Sequence, residues 1–163
     1  MKDKVFIDSN IFLYAFCDKD KEKQTKASKI ILDGGAISVQ VINEVSANML
    51  KKLNFSNDGI KEFIISCLNR YKIINVEPST LLKAVEIRKQ YNISYYDSSI
   101  IAAAIEANAR ILYSEDMQDS QGHRWPDTTP PGFRERPMKR WRKVPRATND
   151  IAQAPRIAVV TLP

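Results

Sequence analysis

A chain of 163 residues with 44% hydrophobic and 27% charged residues has the length and balance of one globular domain, with at most an appendage. The formal charge of +6 is held unevenly: residues 1–121 carry 16 Lys/Arg against 16 Asp/Glu, while residues 122–163 carry nine against three. Cys17 and Cys67 form no paired-cysteine motif, Asp8 interrupts the first apolar run, and no run approaches the roughly 18 residues that span a membrane. These features argue against a disulfide framework, a signal peptide and a membrane span, and predict a soluble chain in a reducing, cytoplasmic setting.

Val5-Phe6-Ile7 reads as a short buried strand that runs out at Asp8, with an apolar turn or short helix over Ile11 to Phe16. A charged stretch from Asp18 to Lys29 leads into Ala27-Ser28-Lys29-Ile30-Ile31-Leu32, the expected buried side of a second helix, stopped by Asp33-Gly34-Gly35. Ala36 to Val39 reads as a second strand. Val41, Val45, Met49 and Leu53 recur at helical spacing, predicting an amphipathic helix over 41–53 with Glu44 in its first turn. Asn57 is the expected N-cap of the next helix, with Ile60, Phe63, Ile64, Cys67 and Leu68 inward. Lys72 to Val76 is a third strand. Pro78 and Ser79 mark a break and a cap before a helix with Leu81, Leu82, Val85 and Ile87 inward.

Ser94-Tyr95-Tyr96-Asp97 opens a helix whose interior, Ile100 to Ile105, is almost wholly apolar and is therefore expected to be buried. Arg110 to Tyr113 is a fourth strand, ending at Ser114-Glu115-Asp116. Strands alternating with helices imply a mostly parallel sheet covered on both faces. The texture changes near Gly122: residues 122–163 hold seven of the eight prolines, both tryptophans, the only histidine and seven of the ten arginines. Residues 1–121 are accordingly read as the domain. Residues 122–163 are read as an atypical Arg/Pro-rich tail, disordered or a read-through or frameshifted extension, in which only Ile157 to Val160 looks strand-like.

Ligands of open parallel sheets bind just beyond the carboxyl ends of the strands. Asp8 follows the first strand, Glu44 lies on the helix after the second, Asp97 opens the helix before the fourth, and Asp116, with Glu115 beside it, follows the fourth. Each also has a plainer reading. Asp8 or Asn10 would cap a helix, Glu44 would complement a helix dipole, Asp97 would close a capping box with Ser94, and Asp116 would be a turn residue. Four such acids on one edge would repel one another unless a cation intervened, and magnesium or manganese, which favour oxygen ligands, suit that set and phosphate chemistry.

The succession Phe6-Ile7-Asp8-Ser9-Asn10, Asn43-Glu44-Val45, Tyr96-Asp97-Ser98-Ser99-Ile100-Ile101-Ala102-Ala103-Ala104 and Leu112-Tyr113-Ser114-Glu115-Asp116-Met117-Gln118 resembles the PIN domain family over about residues 4–119. Within that family it is most similar to the VapC-type toxins of toxin–antitoxin pairs. The resemblance implies a three-layer α/β/α sandwich around a mostly parallel sheet of four or five strands. It further implies an endoribonuclease dependent on Mg2+ or Mn2+, with one or two ions per site, usually dimeric and held inactive by a cognate antitoxin. It places Asp8, Glu44, Asp97 and Asp116 in the acidic site, with Asp8, Asp97 and Asp116 on the metal and Asn10 and Ser114 in support. Glu115 competes with Asp116 for the last acidic position. Asp116 is preferred because the family pattern has Ser or Thr two residues before the acid, which Ser114 supplies. Cleavage by in-line attack of water would leave a 5′-phosphate and a 3′-hydroxyl.

Other chemistries fit less well. Histidine-driven ribonuclease catalysis has only His123 to draw on, in the tail. A haloacid-dehalogenase-type phosphatase needs an aspartate where Asn10 stands, and the five glycines compose neither a dinucleotide nor a P-loop motif. The rival class is a non-catalytic RNA- or protein-binding PIN scaffold that uses the basic tail. There Arg134, Arg136, Lys139, Arg140, Arg142 and Lys143 would meet phosphates and Trp141 would stack on a base.

Overall fold

The computed structural model describes residues 5–17, 19–115 and 158–160. Its elements in chain order are β1 (Val5–Ile7), α1 (Ser9–Ala15), α2 (Lys21–Asp33), β2 (Ala36–Ser38), α3 (Val39–Lys52), α4 (Asn57–Arg70), β3 (Lys72–Ile74), α5 (Pro78–Tyr91), α6 (Tyr95–Glu106), β4 (Ile111–Tyr113) and β5 (Ala158–Val160). The strands form one parallel sheet in the order β3-β2-β1-β4-β5. Ala36, Ile37 and Ser38 are consecutive and all buried. Successive strand residues point to opposite faces, so both faces are covered, as the predicted α/β/α sandwich requires. No helix among the described residues is long and apolar enough to cross a membrane.

The strand order creates the one feature that matters most for a site. From β1 the chain moves outward to β2 and β3, then returns to place β4 on the other side of β1. The carboxyl ends of β1 and β4 therefore flank the point where the order reverses, where a parallel sheet opens a crevice. Their register is fixed by Ile7 opposite Tyr113, and one further ladder bond, from the Asp8 amide to the Tyr113 carbonyl at 2.9 Å, carries the pairing to the last residue before α1. Behind this edge, Phe6, Ile7, Ile37 and Leu112 fill the middle of the core. Phe12 meets Phe63 and Tyr71 edge-on, at centroid separations of 6.0 and 5.6 Å, and ties α1 to α4.

Gly34 ends α2 at φ +75°, and Gly35 follows at φ +155°, where a Cβ would stand 2.7 Å from the Val5 carbonyl oxygen. Only glycine lets β2 begin this close to β1.

Several boundaries and faces differ from the sequence expectation. The cap of α4 is Ser56, whose hydroxyl accepts the Gly59 amide at 3.1 Å, so Asn57 is the first helical residue instead. Glu77 caps α5 through a reciprocal arrangement with Thr80, which leaves Pro78 at the first helical position and Ser79 inside the helix. Leu32 is exposed on α2, where Ala27 and Ile30 face the core; Leu68 is exposed on α4, and on α5 Leu81, Leu82 and Val85 face outward while Thr80, Ala84 and Ile87 face the core. The Thr80 hydroxyl, completely buried, donates to Glu106 Oε2 at 2.8 Å and holds α5 against α6.

The strand expected near Ile157 to Val160 exists as β5 and pairs with β4 in parallel, Leu112 opposite Val159. The remainder of the tail, including the basic cluster and Trp141, lies outside the described residues.

Candidate functional site

Asp8 is both things the sequence allowed. It is the N-cap of α1, with Oδ1 accepting the Ser9 amide at 2.7 Å. Its second oxygen, Oδ2, turns toward β4, where the Ser114 hydroxyl donates to it at 2.6 Å. The sheet register explains the meeting: Asp8 and Ser114 each follow one of the paired residues Ile7 and Tyr113. The amide nitrogen of Asn10, the second residue of α1, lies 3.5 Å from Asp8 Oδ2 and 3.4 Å from the Ser114 oxygen. Asp8, Asn10 and Ser114 are all buried, so a closed polar network sits at the switch point of the sheet.

That network fixes the orientation of Asn10. The Asp8 carboxylate accepts only, so the Asn10 nitrogen must face it and the amide oxygen must face away. Asn10 Oδ1 is buried and has no hydrogen-bond partner among the described residues. An unsatisfied buried acceptor costs about 1–3 kcal/mol. A buried carboxylate beside an orphaned amide oxygen is a pair of hard oxygen donors, which fits a cation such as magnesium or manganese.

The other expected residues stand as follows. Asp97 is half-buried in the first turn of α6, where Ser94 caps the helix by accepting the Asp97 amide at 3.1 Å. Among the described residues its carboxylate takes no hydrogen bond, so the return leg of the expected capping box is not formed. Glu44 is exposed and, because α3 begins at Val39, lies in the second turn and not the first; the reading of it as a dipole partner falls with that. Ser99 donates to Gln40 Oε1 at 2.8 Å, tying the start of α6 to the start of α3 one turn before Glu44. Glu115 Oε1 is paired with Lys23 Nζ, which also lies 5.1 Å from the centroid of the Tyr14 ring. Among the described residues no group of three or more His, Cys, Asp or Glu side chains is arranged to hold a metal ion, and Asp116 lies outside those residues.

The structure therefore brings together Asp8, Asn10 and Ser114, while Glu115, next in the chain after Ser114, pairs with Lys23. Lys23, Gln40 and Ser99 were not singled out from the sequence. The first is 92 residues from its partner and the other two are 59 apart, so no local spacing could have shown either contact.

The family model for the PIN domain matches residues 5–119. No curated protein matched the chain in sequence. Among solved structures, a toxin–antitoxin complex from Klebsiella pneumoniae aligns with a TM-score of 0.53 and 21% identity, over 71% of this chain and 88% of that one. VapC20 of Mycobacterium tuberculosis, a sarcin-ricin loop cleaving toxin, aligns with a TM-score of 0.53 and 13% identity, over 66% of this chain and 86% of that one. DNA-bound VapBC from Salmonella typhimurium aligns with a TM-score of 0.55 and 11% identity, over 97% of both chains. At these identities the likeness is one of fold.

Proposed function

The chain belongs to the PIN domain family, and from that premise we propose that it is a metal-dependent endoribonuclease, the toxin of a toxin–antitoxin pair. The observation that carries this reading is the buried network of Asp8, Asn10 and Ser114 at the carboxyl edge where the strand order reverses. The toxin role is supported by the company the fold keeps, toxin–antitoxin complexes and a toxin that cleaves the sarcin-ricin loop. The partners proposed with it are an RNA substrate, a cognate antitoxin and a second copy of the chain.

In this reading Asp8 and Asp97, with Asp116, would hold one or two Mg2+ or Mn2+ ions, and Glu44 would complete the site. When bound, the metal supplies an activated water and offsets the charge that builds on the phosphate. The rest is done by the chain. Ser114, from the end of β4, and the Asn10 amide, from α1, hold one oxygen of Asp8, and the Ser9 amide holds the other, so the carboxylate is set before any ligand arrives. Preset charge costs no reorganisation during the reaction. The Asp97 carboxylate, half-buried and without a hydrogen bond among the described residues, could turn toward a cation. Ser94 pins the backbone from which it projects.

The test is cleavage of a single-stranded RNA by wild type and by Asp97→Asn, with and without chelator. Metal-dependent cleavage that disappears in Asp97→Asn, at unchanged helical content, is the expected result. Equal rates in both proteins, or cleavage undiminished by chelator, would sink the proposal. Magnesium should also raise the melting temperature of wild type more than that of Asp97→Asn.

A further inference from the structure

Glu115 is a residue too many for the site. It directly follows Ser114, whose hydroxyl holds Asp8, and a fourth or fifth carboxylate there would add to the repulsion that a metal site must already overcome. It is not left to do so. Lys23, from the first turn of α2, reaches the end of β4 and pairs with Glu115 Oε1, and both side chains are largely buried, at 23% and 20% exposure. Partly buried charges are screened far less than exposed ones. The Lys23 ammonium is steadied on its other side by the Tyr14 ring of α1. The second Glu115 oxygen, Oε2, is buried and without a hydrogen-bond partner among the described residues, so the lysine is the counter-charge recorded for this carboxylate.

We infer that Lys23 is a positioning residue that sets the charge of the acidic edge: it cancels Glu115, keeps that carboxylate out of the metal shell, and ties α2 to the strand end that presents Ser114 to Asp8. The inference rests on the metal-dependent nuclease reading and deepens it. It gives Glu115 an internal partner, the Lys23 ammonium, in place of a metal ion.

The consequence is that metal affinity should follow the net charge of the pair. Manganese binding to the full-length, RNA-free protein, measured by calorimetric titration, gives the readout. Lys23→Met uncovers a carboxylate and should tighten binding roughly threefold to tenfold, the effect of one unit charge close to a partly solvated cation site. Glu115→Gln leaves an unpaired ammonium and should weaken binding by a similar factor. The double variant and Lys23→Arg should each stay within about twofold of wild type, since both preserve the local charge balance. Melting curves accompany each titration, because loss of a latch alone would lower stability in both single variants without moving affinity in opposite directions. Unchanged affinities, or changes of the same sign in Lys23→Met and Glu115→Gln, overturn the charge-setting role and leave the nuclease reading standing. A wild-type protein that binds no manganese overturns both.

Discussion

The Ser114 hydroxyl donates to Asp8 Oδ2 at 2.6 Å across 106 residues of sequence, and so joins the ends of the two strands that flank the switch point. Both groups are buried, and the acceptor is a carboxylate, which makes the bond stronger than one between neutral groups. Ser114→Ala removes the donor and leaves Oδ2 with a weaker set. It should cost about 1–3 kcal/mol in urea unfolding and lower metal affinity in the same protein. Ser114→Thr keeps the hydroxyl and should retain most of both. Stability of Ser114→Ala equal to wild type would mean that the bond does not hold Asp8 in place.

Asn10 makes the same point with the opposite charge. Its amide nitrogen faces the Asp8 carboxylate at 3.5 Å, so Asn10→Asp puts two carboxylates in contact in a buried place. One of the pair must then titrate above the ordinary carboxylate range. The unfolded chain, with both groups free to ionise, binds fewer protons in that window, so folding stability falls as pH rises through it. At pH 7 without metal the variant should be less stable than wild type by about 3 kcal/mol. The deficit should shrink as pH falls through the raised value towards about 4, the ordinary carboxylate value, and be largely gone below it. Magnesium should raise its melting temperature by more than it raises that of wild type. Thermal melts across pH, with and without the metal, check all three.

At the alkaline end, Cys67 and Tyr71 are among the buried groups that make stability fall with pH. Burial pushes the Cys67 thiol from 9.0 up to about 11. It pushes the Tyr71 phenol from 10.0 up to about 12, with the neighbouring Cys67 adding to the effect. Between the ordinary and the raised values the folded protein keeps protons that the unfolded chain has lost, so stability declines with rising pH. The contribution should be intact at pH 8, begin to fall above about 9 and be spent beyond about 12. Tyr71→Phe and Cys67→Ala should flatten the decline. Tyr71→Phe also gives up the bond to the Ile31 carbonyl at 2.9 Å, so its stability at pH 7 should drop by about 1 kcal/mol. At pH 8 a thiol reagent should label half-buried Cys17 well before buried Cys67.

The sheet and its edge were legible in the sequence because short apolar runs ending in turn residues carry their own signal. Val5 to Ile7, Ala36 to Ser38 and Ile111 to Tyr113 each became a strand, and even Ala158 to Val160 was visible from its composition. Asp8, Asn10 and Ser114 were legible as a set through resemblance, and their meeting follows from the β1–β4 register. What spacing could not show was the pairing of Lys23 with Glu115, since a lysine in a charged helix reads as solvated until the fold brings an acid to it. Helix caps slipped by one or two residues where neighbouring polar residues compete. Ser56 outdid Asn57 because its hydroxyl reaches the Gly59 amide.

The inward face of α5 was misread for a reason that can be tested. Leu81, Leu82, Val85 and Ile87 look like its apolar side, yet Thr80, Ala84 and Ile87 make an equally good helical stripe at i, i+4 and i+7. The smaller residues win because α5 packs against α6, whose buried residues include Ser98, Ser99 and three alanines beside Ile100 and Ile101. A leucine has no room where Ala84 sits with no exposed surface, and Thr80 earns its buried position through its bonds to the Glu77 amide and to Glu106. Leu82, 69% exposed, should accept glutamate with a change in stability within about 0.5 kcal/mol. Ala84→Leu should cost about 1–3 kcal/mol by overpacking, and Ile87→Ala about 2–5 kcal/mol by opening a cavity. Urea unfolding of the three variants decides between the two faces. A destabilised Leu82→Glu beside a tolerated Ala84→Leu would restore the face that hydrophobicity alone suggests.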